Sequence, residues 1–417
     1  MKINPIKIYK STIYLIIILN IGILNIDANR SLAWFYISVF FTVCLFLFYL
    51  CNKNREKINN WFKIYIVLII LLFSFQFFRL LNSFSTLITT EDAFRHYDVF
   101  LLLLLTFPLV EVLKFDSKSF FATIVNIGYL NLSFRFIVWF MYNFKNINIA
   151  PGYFSGQDGT SWTRSIGTLS LSRLTGSFLD SFLLIYVLIQ FFYDTNCHKK
   201  IISILELVFW FFYQGIIYQS RMQVLMGIFL IIFLIIIRNK NSKQKHLNYT
   251  LLIFMSMVIL VFQLNNIIGF IQTFSTNNSV YGSSTEARLL GINYFVQQLF
   301  NSNLWFGTGF LPDQIKLPYY TFYIVDYGIF MNIIEFGIIG FIIMFVPFWK
   351  GLQVAFKLIK NNILNDKNIL YELALTFYMI VSMILYNFYW IDFVTILPIY
   401  FALILYSSRL IETKIVS

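Results

Sequence analysis

The residues of this sequence that are best suited to chemistry are arginines at the ends of apolar segments. Arg173 precedes an apolar run in "SRLTGSFLDSFLLIYVLI", Arg221 opens another in "YQSRMQVLMGIFLIIFLI", and Arg288 lies in "STEARLLGINYF". Arg164 lies in the loop that leads to Arg173. A guanidinium binds phosphate through paired hydrogen bonds and keeps its charge in a low-dielectric site. A cluster of these arginines would suit a pyrophosphate, whereas each one alone is equally well explained as an interfacial anchor.

Two acids lie in the apolar stretch "YTFYIVDYGIFMNIIEFGIIGFIIMF". An ionisable side chain inside a membrane span is costly, which makes Asp326 and Glu335 functional candidates. On one helix they would stand roughly 13.5 Å apart along the axis and on opposite faces, so they do not form a carboxylate dyad. We expect Asp326, near the outer end, to contact a sugar hydroxyl or an outer arginine. We expect Glu335 to pair with Asn332 inside the bundle.

The remaining polar residues of the apolar segments give weaker indications. Asn131 and Arg135 are four residues apart on one helix face and predict a polar seam of structural character. His96 lies in the acidic, solvated segment "EDAFRHYD" and has no second histidine near it on the predicted outer side. We therefore predict no metal and no cofactor. The cysteines support this because they lack metal-ligand spacing: Cys44, Cys51 and Cys197.

Apolar helices must position these side chains. Of the 417 residues, 59% are hydrophobic and only 12% charged, against about 25% charged residues in soluble domains. The composition predicts an all-α polytopic membrane protein whose residues 1–417 form one integral membrane domain. The N-terminal lysines and apolar run lack a small-residue cleavage site, so we expect a retained first span. Twelve spans are predicted, at 10–26, 31–51, 61–81, 97–115, 119–142, 174–193, 200–218, 222–238, 247–264, 322–349, 369–387 and 391–407.

Basic residues are distributed unequally between the two sides of these spans. The side that carries both termini holds 21 of the 31 basic residues, which assigns it as cytoplasmic. Of those 21, 18 are lysines, whereas seven of the nine on the other side are arginines. Positive charge inside requires only lysine, so the outer arginines favour anion recognition. The net charge of +12 is therefore a property of topology and does not indicate a nucleic-acid partner.

Two outer connections are long, 143–173 and 265–321, and loops of that length are usually functional or disordered. The first is rich in Gly, Ser and Thr. In the second, Ser283 and Glu286 have the spacing of a capping box, and a helix is predicted from there to about Phe300. Its apolar positions include Leu290, Tyr294 and Leu299, so we expect it to lie on the membrane as an interfacial helix.

An ordered series of short motifs resembles the Wzy-type O-antigen and capsular polysaccharide polymerases and the related O-antigen ligases. The stretch around Arg173, the Ser-Arg start of the next span, the loop helix with Arg288 ending in "WFGTGF", and "DYGIFMNIIEFGIIGFI" are similar to that family in order and context. Together they cover about 164–345. The family's usual outer histidine is absent from "LPYYTFYIVDYG", where Asp326 stands instead.

The resemblance implies a bundle like those of GT-C glycosyltransferases, in the cytoplasmic (inner) membrane of a bacterium with the active site facing outward. The implied reaction polymerises undecaprenyl-diphosphate-linked oligosaccharide repeat units without metal or nucleotide sugar. Arg173, Arg221 and Arg288 are expected to hold the diphosphate, with Arg164 nearby. Asp326 and Arg288 are expected to act in catalysis, by activating the acceptor hydroxyl and stabilising the leaving diphosphate. A flippase and a chain-length regulator are the implied partners.

Two other functions remain open at this point. A flippase or exporter of lipid-linked saccharides would have a similar number of spans, but transporters concentrate charged residues within them. An O-antigen-ligase-like transfer to another acceptor fits less well because the histidine is absent.

Overall fold

A computed structural model of the chain describes most of the predicted helical segments. The described residues are 4–21, 23–24, 31–53, 55, 58–82, 99–154, 163–166, 169–193, 196–239, 282–312, 314–316, 321–323, 327–361, 367–384, 386, 388–389 and 395–416. Within them the helices are α1 (Pro5–Asn20), α2 (Ser31–Cys51), α3 (Asn60–Asn82), α4 (Thr106–Lys145), α5 (Phe178–Tyr193), α6 (Cys197–Phe212), α7 (Arg221–Asn239), α8 (Gly282–Asn301), α9 (Ile329–Lys360), α10 (Lys367–Ser382) and α11 (Ile396–Val416). A 3₁₀ segment, Val99–Leu105, leads into α4, and a π-helical turn, Tyr213–Ile217, follows α6.

Several helix ends follow from local sequence. Asn4, which precedes the first residue of α1, accepts a hydrogen bond from the Ile6 amide with its side chain. Asn196 caps α6 in the same way by accepting from the His198 amide. Helix α4 ends at Lys145 and is followed by Asn146, which has the left-handed conformation (φ 55°) typical of a C-terminal cap.

Helix α4 is broken at Asp116, whose backbone is not helical (φ −154°, ψ 51°). The break coincides with the predicted boundary between the spans 97–115 and 119–142. The carboxylate of Asp116 lies 2.6 Å from Lys10 Nζ, and the same ammonium donates to Ser119 Oγ at 2.8 Å. Its hydrogen bond with Lys10 lowers the pKa of Asp116. At this break, the ion pair between Asp116 and Lys10 links α4 to α1.

Two hydrophobic clusters hold the described residues together. In the larger one, α11 packs against α4 and α10, α5 packs against α4, α6 and α10, and α9 packs against α3, α10 and α11. The smaller one joins α8 to the start of α9 and to the second of two short ribbons. Both ribbons are antiparallel hairpins: β1 (Thr163–Ile166) with β2 (Leu169–Ser172), and β3 (Gln314–Lys316) with β4 (Thr321–Tyr323).

Among the described residues, four helical stretches are long and apolar enough to cross a membrane: Ala33–Cys51, Asn60–Leu80, His198–Ile217 and Ile329–Lys360. Three shorter apolar helices accompany them, Phe178–Phe192, Met222–Ile237 and Ile369–Ser382. The described part of the chain is therefore that of an all-α membrane protein. The number of twelve crossings stays a prediction, and the ninth predicted span, 247–264, lies outside the described residues.

The structure adds detail to one predicted loop and corrects one predicted span. The loop 143–173 carries a 3₁₀ turn and the hairpin β1–β2. The predicted span 322–349 begins later, because β4 occupies 321–323 and α9 starts at Ile329. Helix α9 also contains a break at Gly337, where φ is +67°.

Candidate functional site

The segment from Arg173 to Ser177 joins the first hairpin to α5 and is fixed by backbone bonds. Leu174 N donates to Ile217 O at 3.2 Å, and Thr175 N donates to Tyr153 O at 2.9 Å. Leu174 also forms an isolated antiparallel bridge with Phe154. The half-buried Arg173 thus stands beside a segment that is pinned both to the π-helical turn and to the preceding loop.

The next two residues explain the sequence "TGS" at this place. A Cβ atom on Gly176 would lie 2.5 Å from Cζ of the Tyr218 ring, so only glycine leaves room for that ring. Ser177 N donates to the carboxylate of Asp180 at 3.1 Å, which closes the first turn of α5. The motif around Arg173 is therefore a packing and capping unit for the start of α5.

The structure brings the segments of Arg173 and Arg221 side by side. Tyr218 lies close enough to Arg173 for an electrostatic interaction. Arg221 begins α7 only three residues after Tyr218, and Gln219, between them, adopts a left-handed conformation (φ 54°) that reverses the chain. The side chains of Arg221 and Arg164 lie outside the described residues, so their backbone positions alone are known. Arg164 pairs with Leu171 in the first hairpin.

Beneath this surface, Arg135 forms the hub of a buried polar network. Only 2% of Arg135 is exposed. Its guanidinium donates to the backbone oxygens of Thr175 and Ile21, and to Tyr213 Oη at 3.3 Å. It also lies over the ring of Tyr153, 5.4 Å from the centroid. The seam predicted from Asn131 and Arg135 is confirmed, since Arg135 Nε donates to Asn131 Oδ1 at 3.4 Å.

Asp180 is the acidic residue of the network, and it was not predicted from the sequence. Asp180 is 3% exposed, interacts electrostatically with Arg135, and is hydrogen-bonded to the hydroxyl of Tyr213. Trp210 Nε1 donates to the backbone oxygen of Asp180 at 2.7 Å. The signal that could have revealed it is simple: an acid inside the apolar run "SFLDSFLLIYVLI" is costly unless it is paired.

A second set of hydrogen bonds extends the network to α7 and α10. The hydroxyl of Ser181 donates to Tyr378 Oη at 2.5 Å, and Gln223 exchanges hydrogen bonds with the same hydroxyl at 3.1 and 3.2 Å. Tyr386, after α10, lies close enough to both Tyr218 and Tyr378 to interact with them. We call the whole assembly the polar centre, defined by Arg135, Asp180, Tyr213, Tyr218 and Tyr378.

Buried atoms in and beside the polar centre retain unused hydrogen-bonding capacity. Within the part of the chain that the structure describes, Asn131 Nδ2, Tyr153 Oη, Asp180 Oδ1 and both amide atoms of Gln214 have no partner. Burial raises the pKa of Tyr153 to about 12, with a smaller opposing effect from Arg135, so its hydroxyl stays protonated near neutral pH. Buried polar groups are normally hydrogen-bonded. These atoms lie in the interior of the protein, in and beside the polar centre.

Arg288 and Asp326 are not among the residues of the polar centre. Arg288 is exposed on α8, which packs against α9 and β4. Asp326 lies outside the described residues, just before Tyr327. A chain of contacts leads from α8 towards Tyr386: Tyr327 Oη donates to Ala287 O at 3.4 Å, and Ile329 N donates to Met383 O at 2.8 Å. The structure thus places α8 on the same end of α10 as the polar centre.

Glu335 pairs differently from the prediction. Its carboxylate accepts a hydrogen bond from Leu311 N at 3.2 Å, whereas Asn332 Oδ1 has no partner among the described residues. The reason is that the turn "WFGTGF" docks on the break in α9. Thr308 N and Gly309 N donate to Ile334 O and Glu335 O at 2.7 and 3.0 Å.

Arg79, one of the outer arginines, also holds this turn. It donates to Phe306 O at 3.0 Å and to Gly307 O at 3.2 Å from both terminal nitrogens. Gln76 donates to Phe306 O as well, at 2.5 Å. For Arg79, a structural role explains the choice of arginine over lysine, because its fork satisfies two adjacent carbonyls.

The chain matches no protein-family model and no curated protein sequence.

Proposed function

We propose that the chain is a membrane glycosyltransferase that polymerises undecaprenyl-diphosphate-linked oligosaccharide repeat units into a surface polysaccharide. The observation that carries the proposal is the hydrogen bond from Leu174 to Ile217, which sets the Arg173 segment beside the turn that leads to Arg221. The segments that carry Arg173 and Arg221 lie side by side next to the buried polar centre. Two guanidinium groups in such segments suit a diphosphate and the hydroxyls of its sugar. The order of the sequence motifs agrees with this function.

In the proposed reaction, an acceptor hydroxyl attacks the anomeric carbon of the lipid-linked donor. The carbon–oxygen bond to the diphosphate breaks, and undecaprenyl diphosphate leaves with the bond's electron pair. Asp326 takes the proton of the hydroxyl, and the anomeric centre inverts. Arg173, Arg221 and Arg288 stabilise the charge that develops on the leaving diphosphate, while Arg164 contributes to binding the substrate.

The test is polymerisation by purified protein in proteoliposomes supplied with a lipid-linked repeat unit. Arg173→Lys keeps the charge and loses the fork, so we expect about 100-fold slower growth of the glycan ladder. The matched control is Arg55→Lys, on the side predicted to be cytoplasmic, where Arg55 donates to the backbone oxygen of Leu50 at 2.5 Å. Unchanged ladder growth in Arg173→Lys would remove diphosphate recognition from this position.

A flippase for the same lipid-linked saccharides is the second candidate. The buried charges Arg135, Asp180 and Glu372, which are 2%, 3% and 0% exposed, favour it, because transporters place ionisable groups within their spans. The two candidates separate in the same proteoliposomes. A flippase moves a single labelled repeat unit across the bilayer without lengthening it. A polymerase instead lengthens units that are already on the side of the membrane that its active site faces.

A further inference from the structure

Helix α8 buries one face against the protein. Gly291, Phe295 and Leu299 are buried on it, and a Cβ atom on Gly291 would overlap the hydroxyl of Tyr327. Phe295 forms an edge-to-face contact with Tyr327, 5.2 Å between ring centroids. Of the three apolar positions named from the sequence, Leu299 lies on this packed face, whereas Leu290 is 38% exposed.

A second apolar surface runs along α8 beside the packed face. The apolar stripe consists of Leu289, Ile292, Val296 and Phe300, whose exposed fractions are 53%, 39%, 41% and 71%. At 100° per residue the four positions fall within an arc of about 80°. The arc beyond the stripe is exposed and mostly polar: it holds Glu286, Asn293, Gln297 and Asn301, together with the apolar Leu290. An exposed apolar stripe next to an exposed polar one is the pattern of a helix at a membrane surface.

The apolar stripe continues into the exposed apolar surface of a helix that is long and apolar enough to cross a membrane. Helix α3 is long and apolar enough to cross a membrane, and near its end Phe75 and Phe78 are 41% and 62% exposed. The ring of Phe306 lies 5.0 Å from that of Phe75, and Trp305 next to it is 58% exposed. Because only a few residues separate Phe300 from Trp305, the turn holds the C-terminal end of the apolar stripe at the end of a spanning helix. Tryptophan is the residue typical of that interface.

We propose that the apolar stripe of α8 is embedded in the bilayer, so that α8 lies in the interface with its polar arc towards water. The occupant is lipid acyl chain, because the surface that continues the stripe belongs to a spanning helix. The embedding would also hold Arg288, one turn before Ile292, at the level of lipid phosphates. That consequence for the substrate rests on the proposed function, whereas the embedding itself does not.

The experiment compares two adjacent positions of α8 in protein reconstituted into lipid nanodiscs, with the native cysteines replaced by serine. Nitroxide labels are attached to Val296→Cys in the stripe and Gln297→Cys in the polar arc, both of them exposed sites. Collisions with oxygen, which partitions into lipid, and with a nickel chelate, which stays in water, are measured by electron paramagnetic resonance. We expect oxygen to dominate at 296 and the nickel chelate to dominate at 297.

Two results would overturn the proposal. Access of the nickel chelate to both positions would mean that the stripe faces water. Exclusion of both reagents from 296 would mean that protein covers it, and spin–spin broadening would then identify the cover as a second copy of the chain. None of these measurements needs glycosyltransferase activity, so failure here and failure of the proposed function are distinguishable.

Discussion

Arg135 shows how a single buried charge can organise the polar centre. Its hydrogen bonds reach residues 40, 78 and 114 positions away, in the loop before α5, the π-helical turn and the end of α1. The hydroxyl of Tyr213 is also hydrogen-bonded to Asp180. Because one guanidinium has five donors in a fixed plane, it can satisfy several acceptors that no single lysine could reach.

Replacing Arg135 should therefore lower the free energy of unfolding, and the size of the loss should depend on whether Asp180 is present. Arg135→Met leaves a buried carboxylate without its cation, and we expect about 3–5 kcal/mol of destabilisation. Adding Asp180→Asn to that variant should recover part of the loss, since the uncompensated charge is gone. Thermal denaturation of the four proteins in detergent, followed by size exclusion, measures the cycle. Equal and additive losses from the two substitutions would show that the charges do not interact.

At the scale of elements, the turn "WFGTGF" and the break in α9 form one unit. Trp305 and Leu304 accept hydrogen bonds from Ile339 N and Ile338 N at 3.2 and 3.1 Å, which are the amides freed where α9 is interrupted. Two glycines permit this close approach: Gly307 and Gly337 have φ of +73° and +67°. A Cβ atom on Gly307 would lie 2.5 Å from the backbone of Glu335.

Gly337→Ala should accordingly destabilise the protein. The positive φ costs roughly 1–3 kcal/mol for alanine, and its Cβ atom would overlap the backbone oxygen of Trp305. The matched control is Gly215→Ala, because an added Cβ atom there meets nothing within 4 Å and its φ is negative. We expect the denaturation midpoint to fall only for Gly337→Ala. Equal midpoints for the two variants would contradict the docked arrangement of the turn.

At the scale of the whole molecule, lysine and arginine lie on opposite predicted sides of the bundle. The structure gives structural reasons for two of the arginines, Arg79 in the docked turn and Arg135 in the core. It places Arg173 beside the turn before Arg221, between α6 and α7. The sidedness itself stays a prediction, because helices long and apolar enough to cross a membrane do not show which end is outside.

Cysteine labelling in cells tests that sidedness. Thr163 and Asn361 are both exposed, and the predicted topology places them on opposite sides. In a background with the native cysteines replaced by serine, Thr163→Cys should react with a membrane-impermeant maleimide added outside. Asn361→Cys should react only after the membrane is permeabilised. The reverse labelling pattern would invert the orientation and move the proposed site to the cytoplasmic side.

The sequence by itself determined the class of protein and the position of most helices. Long apolar runs, the capping-box spacing of Ser283 and Glu286, and the polar boundary near Asp116 are local signals, and local patterns encode where a helix starts, ends and becomes buried. The amphipathic helix in the second loop was also predictable, although its packed face was not, since a helix bearing two apolar surfaces does not reveal which one meets the protein.

Only the tertiary structure decided how these elements combine at the candidate site. Arg135 meets Asp180 and Tyr213, and Leu174 meets Ile217, across sequence separations that no periodicity records. The same holds for Gly337, whose need for glycine comes from the backbone of Trp305 pressing against it. Such contacts depend on the three-dimensional approach of distant segments, because a buried charge or a bare glycine is stabilised or required by whatever the fold places beside it.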